Sequence, residues 1–361
     1  MKIFFKAAAV LLLSFSAGAC ASAQVKAPAY PADGQDWPKA KAEKYGFDPN
    51  YTKSLTAYLV DSTAATGVAV IVGGEQIFSF GDLSRLSYIA SCRKSLLSML
   101  YGKYVENGTI DLSKTVEDLG FDDIGGLLPI EKQATVYDLI TSRSGVYHPA
   151  SNAGDSEDKP ERGSKKPGEY FLYNNWDFNV AGAAFEKMTG LNIYDAFETD
   201  IALPIGMQDW DRSIQKKTGN LKVSSFPAYH FHLSVRDMAR VGYLMLRKGN
   251  WNGRQLISED WVSRMITPVS PYSEVTGKSS VDRFSYGYMW WLFDAASPEY
   301  LPQYKGAYTA RGAMGQYITV IPELDMVVAF KTDSVYQRST TSAAYFRFLD
   351  KFIATHKSYK K

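Results

Sequence analysis

The feature of this 361-residue chain that most constrains its fold is the position of its strand-like segments near both ends. Short apolar runs typical of buried strands occur twice early and three times late in the chain, at 68–72, 77–80, 286–291, 317–321 and 326–331. Apolar residues at helical spacing dominate the chain between them and return at 345–352. We therefore expect an α/β protein of the α+β type. Its antiparallel sheet would be built from both chain ends and flanked by helices, with an inserted, mainly helical lobe.

The same pattern predicts the organisation of the chain. Residues 24–44 are expected to form an extended arm, and residues 45–361 a single domain. Within that domain we expect a sheet lobe at about 45–90 and 284–361, and a helical lobe at about 91–283. With 45% hydrophobic residues, the chain can bury a substantial core.

The N-terminal segment 1–23 is predicted to be an export signal. Two lysines precede an apolar run at 7–15, and small residues end at an Ala-x-Ala site. The run is too short for a transmembrane span, which needs about 20 residues. We expect an exported, periplasmic protein; the alternatives are a short buried helix and lipid anchoring at Cys20. Without this segment the formal net charge of +2 falls to zero, so charge does not indicate nucleic-acid binding.

A serine and a lysine stand three residues apart at the start of a helical run, in Ser91-Cys92-Arg93-Lys94. On a helix that begins at Ser91, Lys94 lies on the same face as the serine. A serine hydroxyl becomes a good nucleophile when a neighbouring base takes its proton, and burial favours the uncharged lysine that can do so. The helix N-terminus also stabilises an oxyanion. The alternative is an N-cap serine with an exposed lysine.

A second segment places a tyrosine and an asparagine before another helix. Residues 167–169 predict a turn, and Tyr173 and Asn175 follow it. A tyrosine beside Lys94 can relay protons, and the Asn175 amide can hold Lys94 and a substrate carbonyl. Alternatively, Tyr173 is simply packed and Asn175 caps the helix that begins near Trp176.

A third segment, 310–316, is rich in glycine and leads into the strand at 317–321. Glycine there lets a substrate approach the backbone closely. An N–H group of this segment, together with that of Ser91, can form a two-donor oxyanion site. The alternative is an ordinary glycine-rich turn.

Taken in order, Ser-x-x-Lys, Tyr-x-Asn and the late glycine-rich segment resemble the serine β-lactamase and penicillin-binding protein superfamily. The chain is most similar to its branch of class C β-lactamases, esterases and aminohexanoate-oligomer hydrolases. Flanking segments at 106–112, 136–145 and 321–325 agree, and the resemblance covers roughly 47–353.

The resemblance implies a role for each matching residue. Ser91 would be the acylated nucleophile, Lys94 and Tyr173 would share general-base and general-acid duty, and Asn175 would orient them. The backbone N–H groups of Ser91 and Ala313 would bind the oxyanion. It implies a small-molecule or peptide ester or amide as substrate, and no metal or organic cofactor.

The third segment departs from the family pattern. Ala310-Arg311-Gly312 stands where β-lactamases and penicillin-binding proteins carry Lys-Thr-Gly. That lysine helps to bind the substrate carboxylate, so an ester or amide hydrolase is expected ahead of a β-lactamase or DD-peptidase. Arg311 and Gly312 are nevertheless candidate substrate-binding residues. An alternative of another class is a non-catalytic family member that binds peptidoglycan or a partner protein.

Three further features have simpler interpretations. Cys92 is expected to be a small buried residue, since no motif supplies a histidine partner. His230 and His232 can form half of a metal site, but a structural or surface role is expected. The aromatic residues of 286–291, Trp290 among them, are expected to pack in a strand and are candidates for the wall of a substrate cleft.

Overall fold

The computed structural model describes residues 28–152, 154, 159–275, 284–293 and 301–359. The expected export signal and Cys20 lie outside these residues. The helices are α1 Thr52–Ser62, α2 Cys92–Glu106, α3 Val136–Ile140, α4 Asn175–Thr189, α5 Ile193–Phe197, α6 Val235–Leu246, α7 Glu259–Met265 and α8 Ser342–Ile353. No helix within the described ranges is both long and apolar enough to cross a bilayer.

The strands are numbered in chain order in the same way. They are β1 Gly67–Val72, β2 Glu75–Gly81, β3 Ser87–Tyr88, β4 Lys216–Thr218, β5 Ala228–His230, β6 His232–Leu233, β7 Asn250–Trp251, β8 Arg254–Gln255, β9 Phe284–Tyr286, β10 Trp291–Phe293, β11 Tyr308–Gly312, β12 Gln316–Ile321 and β13 Met326–Lys331.

Seven strands form one antiparallel sheet in the order β2-β1-β13-β12-β11-β10-β9. The two chain ends meet where β1 pairs with β13, with Val70 opposite Val328. The expected fold class is thereby confirmed: strands from both ends build the sheet, and helices flank it.

Helices cover both faces of the sheet. The helix α6 packs closely on β12 and β13, because a Cβ on Gly242 would lie 2.5 Å from a methyl group of Val327. On the opposite face, Tyr345 of α8 stacks on Tyr317 with ring centroids 3.7 Å apart. The strands β1, β12 and β13 are consequently buried along their whole length, as their nearly unbroken apolar sequences require.

One of the predicted strands is wrong. The segment 286–291 is not one strand, because the chain reverses within it: Gly287 N–H donates to the Trp290 carbonyl at 3.0 Å, and Met289 has a φ of +60°. Tyr286 and Trp291 therefore pair across two strands, β9 and β10. Residues 310–312, the start of the glycine-rich segment, end the strand β11.

Candidate active site

Ser91 lies immediately before the first residue of α2, in a tightly held turn. The preceding Ala90 has a φ of +48°, a conformation that residues with a side chain rarely adopt. Ile89 N–H is anchored on the Phe231 carbonyl at 3.0 Å. The unpaired N–H groups and the dipole of the first helical turn give this end of α2 a positive potential.

Lys94 is one turn into α2, and its side chain is almost completely buried, with 1% of the residue exposed. Its Nζ lies 3.1 Å from Ser91 Oγ, 2.6 Å from the Tyr173 hydroxyl and 2.8 Å from Asn175 Oδ1. It also lies 4.0 Å from the ring centroid of Tyr173 and 4.3 Å from that of Phe178. One amine thus joins three of the residues that the sequence singled out.

Hydrogen bonds with Ser142 hold the segment that carries Tyr173 and Asn175. Ser142 accepts a hydrogen bond from Leu172 N–H at 3.0 Å through its carbonyl, and donates from its hydroxyl to the Leu172 carbonyl at 2.6 Å. Asn174, rather than Asn175, caps α4, which leaves the Asn175 side chain for Lys94.

A buried carboxylate supports the start of α4. Asp177, 1% exposed, accepts hydrogen bonds from the Ser144 hydroxyl at 2.6 Å and from the Asn174 amide at 3.1 Å. The same Asn174 amide donates to the Val146 carbonyl at 2.6 Å. The segment 142–146 is therefore tied to the segment that presents Tyr173.

Aromatic side chains surround the Tyr173 phenol. Its ring centroid lies 5.1 Å from that of Phe178 and 5.2 Å from that of Trp291. Burial raises the pKa of Tyr173 to about 12, against the opposing effects of a hydrogen bond with Ser91 and the charge of Arg93. The phenol of the free protein therefore keeps its proton at neutral pH.

The glycine-rich segment lies directly beside the turn that holds Ser91. A Cβ on Gly312 would lie 2.5 Å from the Ile89 carbonyl oxygen and 3.2 Å from Ala90 Cβ, so only glycine allows this approach. Ala313 follows at the end of β11 and is exposed. The end of β11 that precedes Ala313 is thereby placed against the turn that precedes Ser91.

Arg311 belongs to the same strand, but its guanidinium is engaged with aromatic rings. It lies 4.8, 5.2 and 5.8 Å from the ring centroids of Phe284, Trp291 and Phe346, and donates to the Ser342 hydroxyl at 3.2 Å. Ser342 and Phe346 belong to α8, so the guanidinium packs against that helix.

Trp290 does not line an open cleft. It is fully buried, and its ring packs edge-on against Tyr308 with centroids 5.5 Å apart. The chain reversal before β10 turns the next residue, Trp291, towards Tyr173 and Arg311 instead. The expectation that Trp290 walls an open cleft is therefore not met, while its expected contribution to substrate binding stays a prediction.

A further residue, Arg93, was not predicted from the sequence and is buried beside the site. It is 1% exposed, donates from Nη2 to Asn179 Oδ1 at 2.8 Å and lies 4.2 Å from the ring centroid of Tyr229. The available signal was its position: a cation two residues after Ser91, at the start of a helix whose first turns are buried.

The remaining candidates, Cys92, His230 and His232, lie among packed side chains. Cys92 is buried, as expected; its thiol lies 3.4 Å from the Gln316 carbonyl oxygen, and burial raises the pKa of the thiol. His230 and His232 flank the Tyr88 ring at 4.5 and 5.8 Å. In the part of the chain that the structure describes, no three His, Cys, Asp or Glu side chains are grouped as a metal site requires.

Comparison with known proteins adds independent findings. A family model described as beta-lactamase matches residues 54–350. A Bacillus anthracis protein assigned as a 6-aminohexanoate-dimer hydrolase is 19% identical, with 91% of this chain and 89% of that one covered and a TM-score of 0.65. EstCE1, a hydrolase with promiscuous acyltransferase activity, is 14% identical, with 84% and 97% covered and a TM-score of 0.61. The octameric penicillin-binding protein homologue from Pyrococcus abyssi is 19% identical, with 84% and 77% covered and a TM-score of 0.60. At these identities the structural matches establish a common fold.

Proposed function

This chain belongs to the beta-lactamase family, and from that premise we propose that it is a serine hydrolase that cleaves an ester or amide bond through an acyl-enzyme on Ser91. The observation that carries the proposal is the position of Lys94 Nζ, within hydrogen-bonding distance of Ser91, Tyr173 and Asn175 at once. A nucleophile, a base and groups that orient the base are then all in contact.

In the first half of the reaction, Ser91 Oγ attacks the carbonyl carbon of the substrate. Its proton passes to the uncharged amine of Lys94, which is 3.1 Å away. The carbonyl oxygen becomes an oxyanion, and we propose the backbone N–H groups of Ser91 and Ala313 as its donors. The closeness of Gly312 to the Ile89 carbonyl supports this, since it brings the two backbone segments together.

The second proton transfer completes acylation. Because the pKa of Tyr173 is raised to about 12, its phenol can donate a proton to the leaving alcohol or amine and regain one from Lys94, 2.6 Å away. Loss of the leaving group produces the acyl-enzyme. Water then attacks the ester on Ser91 with the same groups acting in reverse, and the acid is released.

The surroundings of Arg311 favour a neutral ester or amide over a β-lactam or a D-Ala peptide. A lysine at this place in the family helps to bind a substrate carboxylate, whereas this guanidinium lies over three aromatic rings and binds Ser342. Because it packs against α8, the guanidinium is poorly placed to form a bidentate ion pair with a substrate carboxylate.

The proposal is tested by labelling and hydrolysis together. The wild-type protein should hydrolyse p-nitrophenyl butyrate, and a fluorophosphonate should add to Ser91, as found by peptide mass spectrometry. Ser91→Ala should abolish both. Ser95→Ala is the matched control, because Ser95 is a buried serine one turn further along α2 whose hydroxyl donates to the Met289 carbonyl at 2.6 Å; it should keep both. Activity that survives Ser91→Ala would disprove the mechanism.

A fluorescent penicillin distinguishes the substrate classes. Stable or transient labelling of Ser91 at low micromolar concentration would favour a penicillin-binding protein or β-lactamase instead. Absence of turnover on esters, amides and β-lactams alike, with tight muropeptide binding, would favour the non-catalytic alternative.

Export through residues 1–23 is a further part of the proposal. The support is the order of its charged, apolar and small residues. Mass spectrometry of the mature protein should find an N-terminus at Gln24. A lipid-modified N-terminus at Cys20 would replace this assignment with membrane anchoring.

A further inference from the structure

Arg93 is a buried cation without a matching anion. In the described ranges, no carboxylate forms an ion pair with it, and its Nη1 has no hydrogen-bond partner. Its contacts include the Asn179 carbonyl oxygen, the face of the Tyr229 ring and the side chain of Tyr88. Burying a guanidinium that is not fully paired is costly, so its place beside Ser91 calls for a functional reason.

The geometry connects Arg93 to Lys94 through one helix. Asn175 accepts from Lys94 at 2.8 Å, and Asn179 accepts from Arg93 at 2.8 Å. Because the two asparagines are four residues apart on α4, their side chains share a face and are separated by about 6 Å along the axis. Two adjacent cations of α2 are therefore held by two successive amides of α4.

We infer that Arg93 is a positioning residue that acts by its charge: it holds the Lys94 and Tyr173 pair in the form with fewer protons, so that the pair can accept the proton of Ser91. The inference rests on the proposed function, because it concerns the state of the base in that reaction. Arg93 itself touches neither the nucleophile nor the bond to be cleaved.

The sign of the effect is the same for both partners. A nearby positive charge destabilises the ammonium form of Lys94 and stabilises the phenolate form of Tyr173. The ring faces of Tyr173 and Phe178 and the Asn175 carbonyl oxygen all favour the ammonium instead. Arg93 opposes them, and a guanidinium does not itself lose its proton in the accessible pH range. In agreement, its charge lowers the pKa of Tyr173 against the effect of burial.

Other ionisable groups act on the same pair and must be held constant. Those around Tyr173, Lys94 and Arg93 belong to α2, α4, α5 and five strands of the sheets, and they are Cys92, Asp177, Tyr194, Tyr88, Tyr229, His230, Tyr286, Arg311 and Lys331. Arg311 also lowers the pKa of Tyr173, whereas Cys92 raises it. Burial lowers the pKa of His230 to about 4, so it adds no charge above pH 5. Substitution of Arg93 changes none of these side chains.

A different use of a buried guanidinium is to bind a substrate carboxylate. Burial argues against it, because only 1% of Arg93 is exposed and the unpaired Nη1 is inaccessible to solvent. The two uses also differ in what they affect: carboxylate binding changes the recognition of anionic substrates, whereas an electrostatic effect changes the reaction with neutral reagents.

The experiment measures the second-order rate at which an uncharged fluorophosphonate labels Ser91, from pH 5 to 10, in the full-length protein. Arg93→Gln removes the charge and keeps a side-chain amide that can reach Asn179. For charges separated by about 6 Å, the axial spacing of the two asparagines that hold them, an effective dielectric constant of about 20 gives a change of up to about two pH units in a titration. In Arg93→Gln, the midpoint of the rise in labelling rate on the acidic side of the profile should therefore shift to higher pH by about one unit or more. The rate on the limb should fall at least about tenfold, while the plateau at high pH stays within about threefold.

Two further variants make the result specific. Arg93→Lys keeps the charge and should restore a profile close to wild type. Asn179→Asp leaves Arg93 in place but sets a carboxylate against it, and should move the limb upwards as Arg93→Gln does. Thermal unfolding of each variant separates loss of fold from the change in titration.

The outcomes are distinct. An unchanged acidic limb in both Arg93→Gln and Asn179→Asp, with labelling intact, overturns the inference but leaves the proposed function standing. Failure of the wild-type protein to label at Ser91 overturns the proposed function itself. A change confined to KM for anionic esters, with the fluorophosphonate profile unchanged, assigns Arg93 to carboxylate binding and overturns the electrostatic role.

Discussion

Removal of one oxygen atom in Tyr173→Phe tests the proposed proton transfer directly. The Tyr173 hydroxyl lies 2.6 Å from Lys94 Nζ, and the ring packs against Phe178 and Trp291. Phenylalanine retains those ring contacts, and Lys94 retains Ser91 and Asn175 as partners. The substitution therefore removes the proton donor while leaving the surrounding packing in place.

The expected loss is large in activity and small in stability. A positioned general acid or base typically contributes 10²–10⁴-fold, so kcat/KM for p-nitrophenyl butyrate should fall by about that factor, or about 3–5 kcal/mol in barrier height. The free energy of unfolding should fall by only about 1 kcal/mol, the usual net value of one hydrogen bond. Ester hydrolysis and thermal or urea unfolding measure the two quantities.

A matched control separates chemistry from packing. Tyr147→Phe removes the same atom from a second buried tyrosine, whose hydroxyl has no hydrogen-bond partner among the residues that the structure describes. That variant should keep wild-type activity within about twofold, because no contact of Lys94 is changed. If Tyr173→Phe keeps kcat/KM within about threefold of wild type, Tyr173 does not transfer protons and the division of roles with Lys94 is wrong.

Three other predictions follow from neighbouring contacts. Gly312→Ala places a Cβ 2.5 Å from the Ile89 carbonyl oxygen, so hydrolysis should fall more than about tenfold with only a modest decrease in melting temperature. Asp177→Asn weakens a buried acceptor of the Ser144 hydroxyl, and urea unfolding should show a loss of about 2–3 kcal/mol together with reduced kcat. Burial lowers the pKa of His230 to about 4 in the folded state, whereas the unfolded value is about 6.5. The unfolded chain therefore binds more protons between these values, and stability falls as pH decreases through them. Since His230 is partly exposed, His230→Gln should reduce this loss by about 1–2 kcal/mol, and unchanged unfolding curves from pH 6.5 to 4 would contradict the assignment.

The sheet could be predicted from the sequence because strands buried on both faces appear as continuous apolar runs, and the central strands of this sheet are of that kind. Runs such as 68–72 and 326–331 are apolar throughout, and their positions at the two ends of the chain leave few ways to build one sheet. The segment 286–291 has the same composition but reverses direction. The reversal depends on the left-handed conformation of Met289 and on Gly287, whose Cβ would lie 2.2 Å from the Met265 carbonyl oxygen. Neither a methionine nor a single glycine identifies such a turn in advance.

For the candidate site, the sequence indicated side chains but not their common position. Ser91 and Lys94 are related by helical spacing, which local geometry sets. The contact of Lys94 with Tyr173 joins residues 79 positions apart and depends on how α2 packs against α4, which no local pattern specifies. Arg93 was missed for a related reason: side-chain spacing places it off the face shared by Ser91 and Lys94, so its importance becomes visible only when Asn179 is found opposite.

In the proposed mechanism, the packing of α2 against α4 accounts for a lysine that is buried here and still acts as a base. Burial alone destabilises an ammonium, but this site surrounds Lys94 with an amide oxygen and two ring faces that stabilise it again. A second cation, Arg93, is adjacent to Lys94 on α2 and is bound one turn further along α4. By the inference above, it restores the bias towards the neutral amine. The asparagines that hold the two cations would then have different tasks: Asn175 orients the base, and Asn179 holds the charge that keeps the base deprotonated.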